Sequence, residues 1–269
     1  MIPRFNLHTH TTYCDGKNTA EEMVRAAIEL ECEGIGFSGH STIKSSPDWT
    51  MREAAQKKYV SEINELKKKY EGKIEILLGI EYDVLSDLDT APYDYVIGAV
   101  HHSSVGNIPI DLAAADLKRS VDEYFGGDFY ALAEDYYGEL SHVVEKTNCD
   151  IVAHFDLITK FNEDGALFDE SHKRYRDAAF SCLELLAKKD VIFEINTGAI
   201  SRGYRRTPYP SREILTRMAE LGCKLTVTTD CHRAEWLLCA YDSSVELARD
   251  CGVRELWYPE NKIFVPYKI

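Results

Sequence analysis

The sequence predicts an α/β fold, on three observations. Seven short apolar runs rich in β-branched residues recur along the chain, patterns of helical period separate them, and strand after strand ends in a histidine or a carboxylate. Parallel strands joined by crossover helices read this way, and functional groups in such folds gather where the carboxyl ends of the strands converge. Length and strand count allow an open doubly wound sheet or a closed barrel, and periodicity does not choose between them.

The strands are expected near Phe5–Thr9, Ile35–Gly39, Ile74–Tyr82, Tyr95–His101, Ile151–Phe155, Val191–Asn196 and Lys224–Thr229. Between the first two, Thr19–Cys32 reads as a helix whose Ala20, Met23, Val24, Ala27, Ile28 and Leu30 share a buried face. Thr19 and Glu22 form a capping-box pattern at its start. A second helix, Arg52–Tyr70, places Tyr59, Ile63 and Leu66 on one stripe and ends in Lys67-Lys68-Lys69, cations suited to a solvated helix C-terminus.

The 269 residues are 45% hydrophobic, enough for one large core, and no composition shift, repeat or Pro/Gly-rich linker divides them. Residues 1–269 are therefore expected to form one domain. The net charge of -14 opposes general affinity for long nucleic acid or an anionic membrane. The first residues hold no apolar signal segment, no run approaches about 18 apolar residues, and the eight cysteines form no C-x-x-C pair. A reducing cytoplasm is the expected compartment, and the cysteines read as small buried hydrophobes without a chemical role.

The strand ends supply His8, His10, Asp15 in the following loop, His40, Glu81, His101, His154, Asp230 and His232, nine potential metal ligands. Side chains alternate along a strand, so the His8 and His10 imidazoles project to one face and can reach one cation. Asp230 and His232 share the spacing, although a turn there could aim them at different ions. Mixed nitrogen and oxygen donors without a thiolate suit a catalytic zinc, iron or manganese site. Nine donors exceed what one ion with an open position uses, so two or three divalent ions are implied. Three such ions outweigh the charges of Asp15, Glu81 and Asp230, which leaves a positive pocket able to attract a phosphate group.

His8-Thr9-His10-Thr11, Gly39-His40, Gly79-Ile80-Glu81, Val100-His101-His102, Ala153-His154-Phe155-Asp156 and Asp230-Cys231-His232 resemble, in order and spacing, the motifs of the polymerase-and-histidinol-phosphatase (PHP) superfamily. The resemblance spans residues 7 to 232 and implies a distorted seven-stranded (β/α) barrel with a trinuclear metal site at its carboxyl face. It implies that His8, His10, Glu81 and Asp230 hold one ion, Glu81, His101 and His154 a second with Glu81 bridging, and Asp15, His40 and His232 a third. Many relatives have histidine where Asp15 stands, and Tyr13 and Cys14 lie in the same loop.

Glu194–Gly203 followed by Pro208-Tyr209-Pro210-Ser211, together with His154–Phe161, look like the histidinol-phosphatase branch. That branch implies Lys160 and Arg202 as the cations holding phosphate oxygens, and L-histidinol phosphate as the small-molecule substrate. The expected chemistry is attack on phosphorus by a metal-bridging hydroxide, with Glu81, Asp230, Lys160 and Arg202 as the catalytic residues. Asp156 and Glu194 are expected to orient ligand histidines or to hydrogen-bond backbone. On a regular strand His102 points away from its neighbour's ligand face. Arg205 and Arg206 read as ordinary loop charges, and Pro208 and Pro210 as fixing the approach to a helix starting near Ser211.

Gly34-Ile-Gly36-Phe-Ser-Gly39 matches a dinucleotide-binding pattern but follows a helix, is itself strand-like and is succeeded by a loop at Ser45-Ser46-Pro47, which argues against nucleotide binding. Asp87-Leu-Asp89-Thr90-Ala91 lacks the fifth residue of an aspartyl-phosphate signature and reads as loop acids. The usual cysteine, histidine and serine nucleophile patterns are missing. The alternatives to histidinol phosphate hydrolysis are a phosphoesterase acting on another ester or a short oligonucleotide, and a metal-binding protein without turnover.

Overall fold

The computed structural model describes residues 2–45 and 48–269; Ser46 and Pro47 of the expected loop lie outside them. Seven parallel strands, β1 (Phe5–Asn6), β2 (Gly34–Phe37), β3 (Glu75–Asp83), β4 (Tyr95–Ala99), β5 (Ile151–Val152), β6 (Ile192–Asn196) and β7 (Lys224–Thr228), pair in sequence order. The first and last also meet. Thr9 bridges in parallel to Cys231, His10 N–H donates to Cys231 O at 2.8 Å, and Cys231 N–H donates to His8 O at 2.9 Å. Asn6 reinforces this seam by accepting from Thr229 N–H at 2.9 Å and donating to Thr9 Oγ1 at 3.0 Å. The result is a nearly closed barrel, so the alternative of an open doubly wound sheet falls.

The strands bury both faces, which is why they read as nearly continuous apolar runs. Phe5, Ile35, Phe37, Leu78, Ile80, Ile97, Val152, Ile195 and Val227 are all inaccessible or nearly so. In β2, a Cβ on Gly36 would lie 2.3 Å from Tyr95 Oη. The glycine-rich run that imitates a nucleotide fingerprint is therefore clearance for a ring packed across the sheet.

Helices α1 (Ala20–Glu29) and α2 (Glu53–Lys69) follow β1 and β2; α3 (Ala114–Phe125), α4 (Phe129–Leu140) and α5 (Val143–Thr147) all lie between β4 and β5. Then come α6 (Lys173–Leu186), α7 (Gly198–Ser201), α8 (Arg212–Glu220) and α9 (Tyr241–Asp250). Thr19 caps α1 through the reciprocal bonds of a capping box, worth about 1 kcal/mol relative to alanine. Ala20, Met23, Val24 and Ala27 are buried as the spacing predicts, whereas Leu30 lies past the last turn and is exposed. On α2, Tyr59 Oη donates to Gly79 O at 2.9 Å and docks the helix on β3. The lysines ending α2 are not uniformly solvated: Lys67 turns in to pair with Asp94.

Two differences from the sequence reading have physical causes. β1 and β5 contain only two residues each, because beyond Asn6 and Val152 the ladder is interrupted where a side chain takes a main-chain bond: Ser38 Oγ accepts from Thr9 N–H, and Glu194 accepts from His154 N–H. An antiparallel ribbon, β8 (Glu255–Glu260) and β9 (Ile263–Lys268), was not anticipated. Its turn puts Asn261 and Lys262 at φ 50° and 67°, a conformation usually signalled by Asn-Gly, and Pro259 and Pro266 obscure its strands further. The ribbon packs β8 beside β7 and buries Leu256 and Tyr258. No helix among the described residues is long and apolar enough to cross a membrane.

Candidate active site

The carboxyl ends of the strands bring all nine candidate ligands together, seven of them lining one pocket and His8 and His10 fully buried against them. His8 and His10 flank the Thr9 bridge on one side of the extended chain, their ring centroids 5.1 Å apart. Gly16 lets the next loop fold back on them. A Cβ there would lie 2.5 Å from Thr11 N, so only glycine permits the approach that carries Asp15 to His10. His40 bridges to Glu81 at the end of β2, His101 and His154 follow β4 and β5, and Asp230 and His232 follow β7. Asp230 adopts a left-handed backbone, φ 46°.

Glu81 is the hub. Its Oε2 lies 3.4 Å from His8 Nε2, 3.6 Å from His10 Nε2 and 2.6 Å from His40 Nδ1, and its Oε1 lies 3.3 Å from His101 Nε2 and 3.0 Å from His154 Nε2. Asp230 Oδ1 stands 3.1 Å from His10 Nε2 and 3.7 Å from His8 Nε2. Asp15 reaches His232 Nε2 at 3.1 Å, His10 Nδ1 at 3.6 Å and His40 Nε2 at 3.8 Å. Donors bound at about 2.0–2.2 Å to one ion lie about 3–3.5 Å from each other, and most of these separations fall near that range. The buried atoms His8 Nε2, His10 Nε2, Asp15 Oδ1 and Glu81 Oε2 have no hydrogen-bond partner among the described residues. Buried polar atoms left so are costly, and cations among them remove the cost.

The protonation balance shows how crowded the pocket is. Burial lowers the affinity of His8 and His101 for protons, yet Glu194, Glu81 and Asp230 around the first, and Glu81 and Asp83 around the second, hold both well above the usual imidazole range. His10 goes the other way: burial, then the neighbouring His232 and His40, lower it to about 3. Against burial, His40 and His8 hold Glu81 well below the carboxylate range, and Arg202 and His8 do the same for Asp230.

A layer of further groups aims the ring nitrogens. Glu194 Oε2 lies 2.9 Å from His8 Nδ1, while its Oε1 accepts from His154 N–H at 2.6 Å and from Asn196 at 2.7 Å. Asp83 Oδ2 does the same for His101, 2.9 Å from Nδ1. With Nδ1–H donated to a carboxylate, each Nε2 presents a lone pair to the pocket once its own proton has left. His232 Nδ1 lies 2.9 Å from Asp230 O, the backbone oxygen that the left-handed turn presents. Asp83 escaped the sequence reading although the period-two logic applied to His8 and His10 extends from Glu81 to it.

Lys160 and Arg202 stand on the pocket wall. Arg202 Nη2 donates to Asp230 Oδ2 at 2.9 Å, and Lys160 Nζ lies 3.2 Å from Asp111 Oδ2. With seven of the donors, all but His8 and His10, the residues Trp49, Asp111, Leu112 and Leu157 enclose about 170 Å³. Larger grooves, about 590 Å³ beside Thr42 and Leu85 and about 660 Å³ beside Lys73 and Lys262, gather none of the histidines. Trp49 stands edge-on to His40 and His101 at 4.6 and 5.2 Å. Neither Trp49 nor Asp111 sits in a pattern that sequence alone makes legible.

Other readings change. Of the two roles expected for Asp156 it takes the backbone one: it accepts from Ser211 N–H at 2.8 Å and faces Arg205, and burial raises its carboxyl to about 6. Arg205 is no ordinary loop charge but a buried cation donating to Thr159 O at 2.9 Å, whereas Arg206 is exposed and pairs with Glu163 and Asp164. The His102 ring turns away from the donors to stack on Trp49, centroids 6.1 Å apart. Ser211 precedes α8 as Pro208 and Pro210 suggest. Asp89 accepts from Ala91 N–H in a local turn, as expected of a loop acid.

Comparison with known proteins places this geometry. A histidinol-phosphatase of Bacillus subtilis (strain 168) is 26% identical over 89% of this chain and 97% of its own length. The crystal structure of histidinol phosphate phosphatase (HISK) from Lactococcus lactis, complexed with Zn, L-histidinol and phosphate, superposes with a TM-score of 0.72 at 24% identity, covering 98% of this chain and all of that one. A Listeria monocytogenes chain carrying the hisK name reaches 0.79 at 21% identity, covering 89% of this chain and 99% of that one. Both structures share the barrel. The PHP domain model matches residues 6–198, more than half of the sequence, and the chain therefore belongs to the PHP domain family.

Proposed function

We propose that this chain is a metal-dependent phosphomonoesterase that hydrolyses L-histidinol phosphate to L-histidinol and phosphate. The observation that carries the reading is the Glu81-centred donor cluster with Lys160 and Arg202 on the wall of the same small pocket. The histidinol-phosphatase names of full-length relatives support the choice of ester. The proposed ligand sets are His8, His10, Glu81 and Asp230; Glu81, His101 and His154; and Asp15, His40 and His232, with zinc, manganese or iron as occupants. We read residues 1–269 as one domain of a cytoplasmic enzyme, in keeping with one continuous buried core and free cysteines.

When bound, the ions supply Lewis acidity and acidify solvent at the site. The chain's own work is positioning. Glu194 and Asp83 fix the His8 and His101 rings, Glu81 spans the first two ligand sets, and Lys160 and Arg202 neutralise charge on the phosphoryl oxygens, the main task in phosphoryl transfer. The test is a panel at neutral pH on chelated protein reconstituted with manganese or zinc. Phosphate release from L-histidinol phosphate in preference to cleavage of a short oligonucleotide is expected; cleavage of another ester with none of histidinol phosphate would contradict the assignment.

A further inference from the structure

Asp111 is a carboxylate in a pocket proposed to take a phosphate. Such a group repels the ligand and offsets part of the charge on Lys160 beside it. It is not needed merely to anchor that lysine, because Lys160 Nζ already donates to the Asp111 main-chain oxygen at 2.5 Å and lies over the Tyr204 and Phe161 rings, 5.0 and 5.6 Å from their centroids. Of the two side-chain oxygens, Oδ2 lies 3.2 Å from Lys160 Nζ, and Oδ1 has no hydrogen-bond partner among the described residues. Asp111 stays ionised there: although burial opposes it, Lys160, His101 and His154 lower its carboxyl to about 2. Asp111 lines the cavity where a phosphate ester would lie, its side chain 19% exposed and paired with Lys160 through one of its two oxygens.

We propose that Asp111 is a specificity-determining residue that receives the ammonium group of the substrate while Lys160 meets its phosphate. The inference rests on the histidinol phosphate reading and names how that substrate is told from other esters. In histidinol phosphate the ammonium sits on the carbon next to the one bearing the ester oxygen, so opposite charges lie side by side. Lys160 and Asp111 present the complementary pair at the same close spacing. An ester lacking the amine leaves the Asp111 carboxylate facing its phosphate without compensation, so the pair selects against it as well as for the zwitterion.

The experiment compares kcat/KM for L-histidinol phosphate and for the same ester with the amine replaced by hydrogen, in the metal-loaded wild type, Asp111→Asn and Asp111→Glu. The ratio is read within each protein sample, so a general loss of active enzyme cancels. Wild type is expected to prefer the amino ester. Asp111→Asn should reduce that preference about tenfold or more, mainly through KM, and Asp111→Glu, which keeps the charge, should restore part of it. An equal loss on both esters would overturn the proposal and leave Asp111 as a support for Lys160, as would a wild type indifferent to the amine. A wild type that hydrolyses neither ester would remove the proposed function, and this inference with it.

Discussion

The inner and outer halves of the donor cluster are built differently. Glu81, His8, His101 and His154 have side chains no more than 3% exposed, and the carboxylates Glu194 and Asp83 hold the far nitrogens of His8 and His101. The outer set is open: the side chains of Asp15, His40 and His232 are 31, 10 and 12% exposed. Among the described residues, the only carboxylates near its far ring nitrogens are themselves candidate ligands, Glu81 beside His40 and Asp230 beside His232. His232 Nδ1 lies between the Asp230 backbone oxygen at 2.9 Å and Arg202 Nη1 at 3.0 Å, and His40 turns Nδ1 toward Glu81 itself. Burial and charged backing fix a ring before an ion arrives, so the inner ions are expected to bind tightly and the outer one to exchange.

The largest effect expected from this contrast is at Glu81, which both inner sets share. Glu81→Gln should abolish phosphatase activity by more than the about 10²–10³-fold typical of losing one transition-state contact. Retention of a tenth of the wild-type rate would break the hub description. Next comes Glu194→Gln, which touches no proposed ion but aims His8. It should weaken inner-site metal affinity by about 10–100-fold in a chelator competition, whereas an unchanged affinity would reduce Glu194 to a structural acid.

A pH series sharpens the comparison without mutation. In ion-free protein the proton affinities of His8 and His101 are raised, so the stability they contribute is complete below the ordinary 6.5 and is lost as pH rises through their higher values. His10, lowered to about 3, changes its contribution only between about 3 and 6.5. Thermal melts of the chelated protein should therefore fall from pH 6.5 to 8.5. Melts of the zinc-loaded protein should hold or rise, because ions compete better once protons leave. The smallest effect is expected at Asp15→Asn: loss of the weakest ion, with inner-site affinity changed by less than about tenfold. An equal loss at every site would mean that the two halves are one unit.

Much of this was legible in the sequence because the relevant signals are local. A histidine or carboxylate after an apolar run marks a strand end, and His8 and His10 share a face by strand geometry alone. The capping box of α1 is a four-residue pattern, and it forms as read. What escaped depends on chain segments meeting from afar. Arg205 is buried only because Thr159, Asp156 and Tyr209 surround it, Asp111 matters only once a lysine from beyond β5 leans on it, and the closing bridge between Thr9 and Cys231 links residues at opposite ends of the barrel sequence. The β8–β9 turn escaped for a local reason, since a lysine occupies a left-handed position where glycine would have announced it.

Elemental analysis of purified wild type and Glu81→Gln, each reconstituted with manganese or zinc and freed of excess ion, bears most directly on the proposed centre. About three ions per wild-type chain and no more than about one in Glu81→Gln are expected from the donor sets. Full phosphatase activity in wild type at a single ion per chain, or an unchanged ion count in the variant, would contradict it.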